Sequence, residues 1–594
     1  MKKNIINNLQ LLRNLMKERN IDAYIIPTND FHGSEYVGDY FKSRSFISGF
    51  TGSSGTVVVT PVEAGLWTDG RYFLQAEDQL KDTTIDLYKV GEPGVLKLTE
   101  FLNLKLPATC KIGFDGRVVS SLFVETLIEE LKDKIVTISF EEDLLDLIWE
   151  NRPSISKKPA YELELVHSGL GRVEKINQIK EHLKEIKADR LVLTSLDDIA
   201  WLFNIRGNDV ECNPVVLSYA AISLDETILY VHNGVLSREL LNKFDEENII
   251  VKDYLDIYTD VTTYNKEEVV VYQKNKVNYS LSSLIKVDKV IDEINYTSIL
   301  KAVKNEVEIK NAYYAHLKDG IAVTKFIYWL KTNVGKIEMD EISVSDKLEE
   351  FRRMQPNFKG ISFETIAGYK EHGAIIHYFA TPDTNIKVLP KSFLLVDSGG
   401  QYFEGTTDIT RTISMGELSE KEKLCYTLVL KGHLALSNAV FKSETSGIQL
   451  DILARMPLYQ YGYNYNHGTG HGVGSFLNVH EGPQNISPAP RASYPLQEGM
   501  ITSNEPGVYL PNEFGVRIEN LVLCLKDKTT EFGDFLKFDD LTLVPYDIEA
   551  IDQSLLTIEE KALIHKYHER VYEALKDYLT KEEQVWLKTI KEVI

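Results

Sequence analysis

The sequence predicts a protein of the α/β and α+β classes, in which two related α/β regions precede a larger α+β region. Three observations support this prediction. Helix-like and strand-like segments alternate over roughly the first half of the chain, and the same order of segments occurs twice. The second half mixes strands, glycine turns and helices. The length of 594 residues exceeds what one hydrophobic core usually serves, which favours three or four domains.

The repeated order is visible element by element. The first region is predicted to contain a helix and two strands, at 8–18, 23–26 and 56–60. The second region is predicted to contain a helix and three strands, at 172–186, 191–194, 215–224 and 228–231. A polar segment with two prolines, 151–159, favours a boundary between the two regions.

The third region is predicted to begin with a long helix from Asn305 to about Leu330. It continues with mixed strands and turns and with a helix pair between Glu420 and Met456. The segment 558–594 is rich in Glu, Lys, Leu and Ala at helical spacing, which predicts a helical tail that packs on the third region. The expected domains are 1–153, 154–300, 301–532 and a C-terminal extension, 533–594.

Composition favours a folded enzyme over a nucleic-acid or membrane protein. The chain is 43% hydrophobic and 26% charged, and its formal net charge of -22 argues against binding to a phosphate backbone. No stretch approaches the roughly 18 apolar residues of a membrane span, and the first residues turn polar before a signal-peptide core can form. We therefore expect a cytoplasmic protein with neither nucleic-acid nor membrane partners.

The cysteines are predicted to be buried thiols in a reducing compartment. They are far apart and form no CxxC pair, so neither a zinc site nor a disulfide is favoured. The four are Cys110, Cys212, Cys425 and Cys524.

The segment 467–483 indicates a functional site. It places His467, His471 and His480 among glycines, which remove side-chain bulk and allow backbone to approach a polar centre. The glycines fit neither GxGxxG nor a P-loop, and the chain has no HExxH motif, which excludes a thermolysin-like zinc protease.

Four acidic residues flank this segment, each in or beside a predicted strand. They are Asp397, Asp408, Glu505 and Glu519. Taken alone, Asp397 is better interpreted as the start of a turn, and Asp408 as a carboxylate on a solvated face. Together, four buried carboxylates would repel one another and take up protons unless a cation were present. A cage of four carboxylates and one imidazole suits Mn, and also Zn, Co or Fe, better than a thiolate zinc site.

These motifs resemble those of the pita-bread metallopeptidases, and specifically the three-domain aminopeptidase P (Xaa-Pro aminopeptidase) branch. The resemblance rests on 46–55 and 67–72 in the first region, 196–207 in the second, and every acidic and histidine segment of the third. It implies two creatinase-like N-terminal α/β domains followed by a pita-bread catalytic domain.

The resemblance also implies a role for each ligand. Asp397 would chelate one metal, Asp408 and Glu519 would bridge both metals, and His471 and Glu505 would hold the other. Two metals roughly 3.5 to 4 Å apart would share a water and lower its pKa, which yields a bridging hydroxide. We expect two divalent ions per chain, with Mn(II) favoured and Zn(II) or Co(II) as alternatives.

Further roles follow from the same resemblance. Glu505 would also carry the proton from the water to the leaving nitrogen, and His377 and His480 would contact the scissile carbonyl. His467 and Arg517 would line the pocket for the penultimate proline. Two alternatives remain open: His377 as a histidine of the core, and Arg517 as a partner of a carboxylate ligand.

The implied function is hydrolysis of the N-terminal Xaa-Pro bond of peptides with proline at the second position, by an enzyme that commonly forms homodimers. Prolidase is the nearest alternative, although prolidases resemble a shorter, two-domain plan. Methionine aminopeptidases are more compact still. Pita-bread binding modules that have lost the ligands, and the metal-free creatinases, do not fit a chain that retains all five ligand positions.

Overall fold

The computed structural model describes residues 2–592 and divides into two compact units. One unit comprises the chain up to Leu163 together with Leu170–Thr297. The other comprises Glu164–Gly169 and the chain from Ser298 onward. Within the described residues, no helix combines the length and the apolar character needed to cross a membrane.

The first half of unit one is a six-stranded sheet with five helices. The strands are β1 (Ala23–Pro27), β2 (Thr56–Val59), β3 (Ala64–Thr68), β4 (Asp86–Lys89), β5 (Thr109–Gly113) and β6 (Ile135–Ser139). The helices are α1 (Lys2–Glu18), α2 (Ser43–Ser48), α3 (Phe73–Gln79), α4 (Leu98–Lys105) and α5 (Ser121–Glu130). Helix α1 begins six residues before the predicted start, because Ile5 continues the buried apolar face of Leu9 and Leu12.

The second half of unit one holds another six-stranded sheet and a two-stranded ladder. The strands are β7 (Tyr161–Glu162), β8 (Arg190–Leu193), β9 (Ile205–Arg206), β10 (Ser218–Ser223), β11 (Thr227–Val231), β12 (Ile250–Asp253), β13 (Val269–Val271) and β14 (Lys289–Ile291). The helices of this stretch are α6 (Leu165–Ser168, part of unit two), α7 (Arg172–Glu185), α8 (Leu196–Leu202), α9 (Arg238–Glu246), α10 (Ile257–Asp260) and α11 (Tyr279–Ser282). Strand β10 begins later than predicted, because the Leu217 amide donates to the Asp209 carboxylate (2.9 Å).

The two six-stranded sheets share one topology. Their strand orders are β4-β3-β2-β1-β5-β6 and β12-β11-β10-β8-β13-β14. In both, a strand at the centre (β1 or β8) pairs antiparallel with one neighbour (β2 or β10) and parallel with the other (β5 or β13). The repeated order of elements in the sequence therefore reflects a duplicated fold.

Unit two contains most of the remaining elements. Its strands are β15 (Phe358–Ile361), β16 (Ile366–Tyr369), β17 (Phe393–Ser398), β18 (Gly400–Tyr402), β19 (Gly405–Thr406), β20 (Ile409–Ser414), β21 (Val440–Lys442), β22 (Gly470–Gly472), β23 (Glu481–Ile486), β24 (Ile501–Asn504), β25 (Gly507–Leu510), β26 (Phe514–Arg517), β27 (Asn520–Thr530) and β28 (Gly533–Asp540). The later helices of the chain are α12 (Tyr296–Ala302), α13 (Glu306–Asn333), α14 (Glu341–Arg353), α15 (Glu420–Ser437), α16 (Gly447–Tyr459), α17 (Ile558–Leu575) and α18 (Lys581–Glu592).

Two sheets of unit two support the candidate site. One has the order β16-β17-β20, and the other has the order β21-β28-β27-β24-β22-β23. The long helix α13 starts at a capping box made by Asn305 and Glu308. The helical tail is two helices, and Ile564 and Val571 of α17 share a hydrophobic core with Tyr426 and Leu430 of α15.

None of the four cysteines, all of which lie in the described range, forms a disulfide. Three of them are buried as predicted, namely Cys110, Cys425 and Cys524. The prediction was wrong for Cys212, which is only partly buried.

Candidate metal centre

The first two candidate ligands lie at one end of a strand pair. Strands β17 and β20 run antiparallel, with Asp397 opposite Thr410, and Asp408 immediately precedes β20. The chain between them turns back through β18 and β19. Both carboxylates are buried, at 8% and 4% exposure. The predicted hairpin geometry therefore holds, although two short strands lengthen the connection.

Glu505 and Glu519 occupy equivalent places in the larger sheet. Strands β24 and β27 are antiparallel with Asn504 opposite Asn520, so Glu505 leaves one strand where Glu519 enters the other. The Glu519 amide donates to the Thr410 carbonyl (3.1 Å), which joins this strand end to the strand that follows Asp408.

His471 lies in the middle of β22 and is oriented by its own backbone. Its Nδ1 donates to the Gly472 carbonyl (3.0 Å), so Nε2 is the ring nitrogen that would bind a cation after losing its proton. Nε2 lies 3.4 Å from Asp408 Oδ2 and 3.5 Å from Glu505 Oε1. The strand can approach this closely because Gly470 has no Cβ, which would lie 1.9 Å from the Ser503 carbonyl oxygen.

Three overlapping groups of ligand atoms result, each within 4.8 Å. The groups are Asp397, Asp408 and Glu519; His471, Glu505 and Glu519; and Asp408, His471 and His480. The first two groups share Glu519, and Asp408 of the first lies beside His471 of the second. This is the geometry expected for two adjacent cations with a common carboxylate.

The electrostatics of the cluster are those of a cation site. Burial raises the pKa of Asp397, raises that of Glu519 well above its usual range, and raises that of Glu505 to about 7. Burial lowers the pKa of His471, but Asp408 and Glu505 outweigh it and raise that pKa to about 9. The protein alone thus holds protons where divalent cations would neutralise the carboxylates.

A buried atom with unused bonding capacity supports the same conclusion. Within the described residues, Asp397 Oδ1 is buried and has no hydrogen-bond partner. An unpaired carboxylate oxygen is costly in a buried site unless it coordinates a metal. Carboxylate oxygens and one imidazole nitrogen are donors that suit divalent manganese, zinc or cobalt, so the residues fit the metals that the sequence predicted.

Arg517 is hydrogen-bonded to the candidate ligand Asp397 and to residues beside it. Its Nη2 donates to Asp397 Oδ2 (2.7 Å) and to the Ile376 carbonyl (3.3 Å), and its Nε donates to the Thr410 hydroxyl (3.2 Å). The guanidinium is 2% exposed. Of the two roles left open by the sequence, these contacts favour the partner of a carboxylate ligand.

The three remaining predicted histidines lie around the ligands. The His480 ring packs edge to face on His471, with centroids 4.3 Å apart. His467 Nδ1 lies 4.0 Å from Glu505 Oε2, and its Nε2 contacts the Tyr509 hydroxyl (2.8 Å). His377 is half-buried and directly follows Ile376, whose carbonyl contacts Arg517.

Comparison with known proteins identifies the family. A protein of Sordaria macrospora named "Probable Xaa-Pro aminopeptidase P" is 40% identical over 600 residues, and the match covers 97% of each chain. The chain belongs to the Xaa-Pro aminopeptidase P family. A Dictyostelium discoideum relative in this family, named "Xaa-Pro aminopeptidase 1", is 37% identical over 96% of this chain and 93% of its own.

Solved structures and family models agree with this assignment. The X-prolyl aminopeptidase of Caenorhabditis elegans superposes with a TM-score of 0.96 at 33% identity, covering 99% of this chain and all of that one. Models of the creatinase/prolidase N-terminal domain match 8–148 and 151–308, metallopeptidase family M24 matches 311–526, and the C-terminal region of that family matches 534–592. The resemblance and the fold class drawn from the sequence are confirmed.

Two residues of this Xaa-Pro aminopeptidase P site were missed from the sequence. The Thr410 hydroxyl donates to Glu519 Oε2 (2.8 Å), and the Tyr509 hydroxyl contacts both His467 and Arg517 Nη1 (2.7 Å). Thr410 could have been predicted, because it follows Asp408 by two residues and residues at that spacing lie on the same face of a strand. Tyr509 gave no comparable signal.

Proposed function

We propose that this chain is a dimetal exopeptidase that hydrolyses the N-terminal Xaa-Pro bond of peptides and releases the first residue. The observation that carries the proposal is the sharing of Glu519 between two ligand groups. Family membership supports it, because relatives matched over nearly their whole length are named Xaa-Pro aminopeptidases. The C. elegans protein is described as a cytosolic enzyme with a di-nuclear active site.

Two divalent cations fit the cluster in number and charge. Asp397, Asp408 and Glu519 would hold one cation, and His471, Glu505 and Glu519 would hold the other. Asp408 Oδ2 lies 3.4 Å from His471 Nε2, so Asp408 is next to both ligand groups. Four carboxylates balance the charge of two divalent ions. When bound, the pair supplies a water activated at neutral pH and an electrophile for the scissile carbonyl. We propose Mn(II) as the cation, since oxygen donors predominate.

Glu505 and two histidines carry the proton and the developing charge. Oε1 of Glu505 faces His471. We therefore propose that Oε2 takes the proton from the attacking water and passes it to the leaving proline nitrogen. His480 packs on His471 at the edge of the ligands. We propose that His480 and His377 donate to the scissile carbonyl as negative charge develops on its oxygen.

Substrate binding is assigned to the neighbouring polar residues. We propose that His467 lines the pocket for the penultimate proline. Its ring contacts the Tyr509 hydroxyl, and its backbone carbonyl accepts a hydrogen bond from Arg455 Nη2 (2.9 Å). Arg517 reaches the same pocket through Tyr509. Arg517 also forms an ion pair with Asp397 (2.7 Å), so we propose that it serves the substrate by fixing the pocket wall and this ligand together.

Prolidase is the less favoured alternative. The prolidase of Pyrococcus horikoshii is matched over 99% of its length but covers only 63% of this chain, with a TM-score of 0.50 and 24% identity. It therefore shares the fold without accounting for the duplicated half of unit one. A non-catalytic peptide-binding module is disfavoured because all five ligand positions are present and converge.

A peptide series tests the proposal. The purified protein, stripped with chelator and reloaded with Mn(II), Zn(II) or Co(II), is incubated with Xaa-Pro, Xaa-Pro-Yaa, a longer Xaa-Pro peptide and an Xaa-Ala-Yaa control. We expect release of only the first residue from the tripeptide and the longer peptide. The matched Asp408→Asn protein reports any contaminating peptidase. Cleavage confined to the dipeptide would mean prolidase, and no cleavage with any cation would favour the binding module.

Three further proposals concern the domain boundaries, the cellular location and the oligomeric state. The domain boundaries 1–153, 154–300, 301–532 and 533–594 are supported by the ranges of the four matching family models. We propose a cytoplasmic location, as stated for the C. elegans enzyme, which cell fractionation tests. We also propose a homodimer, which sedimentation analysis tests.

A further inference from the structure

Arg411 lies on the reverse side of the strand that supports the metal ligands. Side chains alternate between the two faces of a strand, so Thr410 and Arg411 of β20 point in opposite directions. Thr410 contacts the Glu519 carboxylate. Arg411 points away from the ligands and is 2% exposed.

The Arg411 guanidinium is bound by neutral groups. One side donates to two carbonyls of the ligand strands, from Nη1 to Thr410 (2.9 Å) and Glu519 (2.7 Å). The other side donates to groups beyond β28, from Nε to the Pro545 carbonyl (3.1 Å) and from Nη2 to the Val544 carbonyl (2.7 Å). Nη2 also donates to Asn520 Oδ1 of β27 (2.8 Å). A planar fork that presents five donors can hold these two segments at once, which a lysine cannot do.

Helix α17 supplies the outermost contact of this arginine. Nη2 of Arg411 also donates to the Tyr567 hydroxyl (3.0 Å), which itself lies within donating distance of the Val544 carbonyl (2.9 Å). The Tyr567 ring stacks on Tyr546, with centroids 4.5 Å apart. Tyr567 therefore contacts the guanidinium on the side facing α17 and helps to fix its position between the ligand strands and the segment after β28.

His433 forms a second link between the C-terminal extension and the ligand strands, at Asn504, the residue before Glu505. His433 donates from Nδ1 to the Asn504 carbonyl (3.1 Å), and its Nε2 accepts from the Tyr546 hydroxyl (3.1 Å). Burial and the charge of Arg411 lower the pKa of His433 to about 3, which agrees with this neutral tautomer. Residues of the C-terminal extension thus contact Arg411 and His433, and these two side chains in turn contact the backbone of Glu519 and of Asn504, which precedes Glu505.

We infer that Arg411 and Tyr567 are positioning residues for Glu519, so that the C-terminal extension (533–594) is part of the metal centre as well as a packing element. The inference rests on the proposed dimetal function. Without the Tyr567 hydroxyl, Nη2 keeps the Asn520 amide oxygen and the Val544 carbonyl as acceptors but loses the contact from helix α17 that fixes the guanidinium between the two segments. We expect the Glu519 backbone, which the guanidinium holds, to be less firmly placed as a result. Loss of residues that orient a metal ligand typically weakens metal affinity by about 10 to 100-fold.

The test measures cation affinity rather than activity alone. Full-length wild-type, Tyr567→Phe and Tyr572→Phe proteins are titrated with Mn(II) by calorimetry, and with Co(II) by visible absorption. Tyr572 is on the same helix and is partly buried against the same core. Within the described part of the chain, its side chain forms no hydrogen bond with Arg411 or with the ligand strands. We expect Tyr567→Phe to bind its weaker cation about tenfold less tightly, and Tyr572→Phe to remain within twofold of wild type.

A second variant, Arg411→Lys, keeps the charge but removes the fork, and we expect a larger loss of affinity if it folds. Isotherms of Tyr567→Phe within twofold of wild type would overturn the inference. Equal losses in Tyr567→Phe and Tyr572→Phe would also overturn it, because they would indicate general destabilisation. If the wild type itself bound no cation, the proposed function would fail instead, which keeps the two outcomes distinct.

Discussion

At the scale of single residues, two side chains of the metal centre carry protons that a bound cation would displace. Glu505 and His471 each hold a proton more tightly in the metal-free fold than in the unfolded chain. A divalent cation needs a carboxylate and a neutral imidazole as ligands. Metal binding and proton release are therefore coupled in this site.

The coupling predicts opposite effects of pH on two forms of the protein. The pKa of Glu505 rises from 4.5 to about 7 and that of His471 from 6.5 to about 9, so both groups stabilise the metal-free fold while protonated. That stability is fully present below the unfolded values and is lost as pH rises through the folded ones. Cation affinity rises over the same interval because protons no longer compete.

We therefore predict that the thermal midpoint of the metal-free protein falls between pH 5 and pH 9, while the gap between Mn(II)-loaded and metal-free midpoints widens. Differential scanning calorimetry of the metal-free protein, and of the protein with a fixed excess of Mn(II), measures the two curves. A gap that stays constant or narrows with rising pH would show that these two residues are not the displaced acids.

At the scale of elements, the site depends on a close crossing of two backbones. Strand β26 carries Arg517, and the 3-10 turn Lys370–Ala374 precedes His377. A Cβ at Gly515 would lie 1.8 Å from the Gly373 carbonyl oxygen, so the two segments touch only because no side chain intervenes. This contact brings the Ile376 carbonyl to Arg517.

We predict that Gly515→Ala separates the turn from β26. The expected cost is about 3 kcal/mol, seen as a drop of roughly 5 °C in the thermal midpoint of the loaded protein. We also expect roughly a tenfold fall in kcat/KM, because His377 moves with the turn. Gly38→Ala is the matched control, since its Cβ would meet nothing closer than 3.5 Å. Unchanged kcat/KM in a destabilised Gly515→Ala protein would contradict the placement of His377.

Sequence patterns indicated the clustered acidic residues better than the residues that support them. Asp397, Asp408, Glu505 and Glu519 each end or begin a short strand beside a turn, so local alternation exposes them. The supports depend on contacts between distant segments: Thr410 and Glu519 are 109 residues apart, and Arg411 and Tyr567 are 156 apart. No local spacing indicates which distant side chains converge. The same reason explains why the sequence left the role of the C-terminal tail open.

At the scale of the whole molecule, the two units differ in what their sequences specify. The duplicated sheets of unit one were predictable, because alternating helix and strand patterns recur in the same order. The strands of unit two were harder to predict, because β22, β24 and β27 are short or interrupted and pair across long separations. The five candidate ligands come from two strand pairs and from β22, and the positions of these strands bring them into one cluster.

The central claim is that these five side chains hold two cations that share Glu519. Anomalous X-ray scattering at the manganese edge, from crystals of the Mn(II)-loaded enzyme, tests it most directly. We predict two peaks per chain, one contacted by Asp397 and one by His471 and Glu505, with Asp408 and Glu519 between them. A single peak, or peaks away from Glu519, would contradict the account.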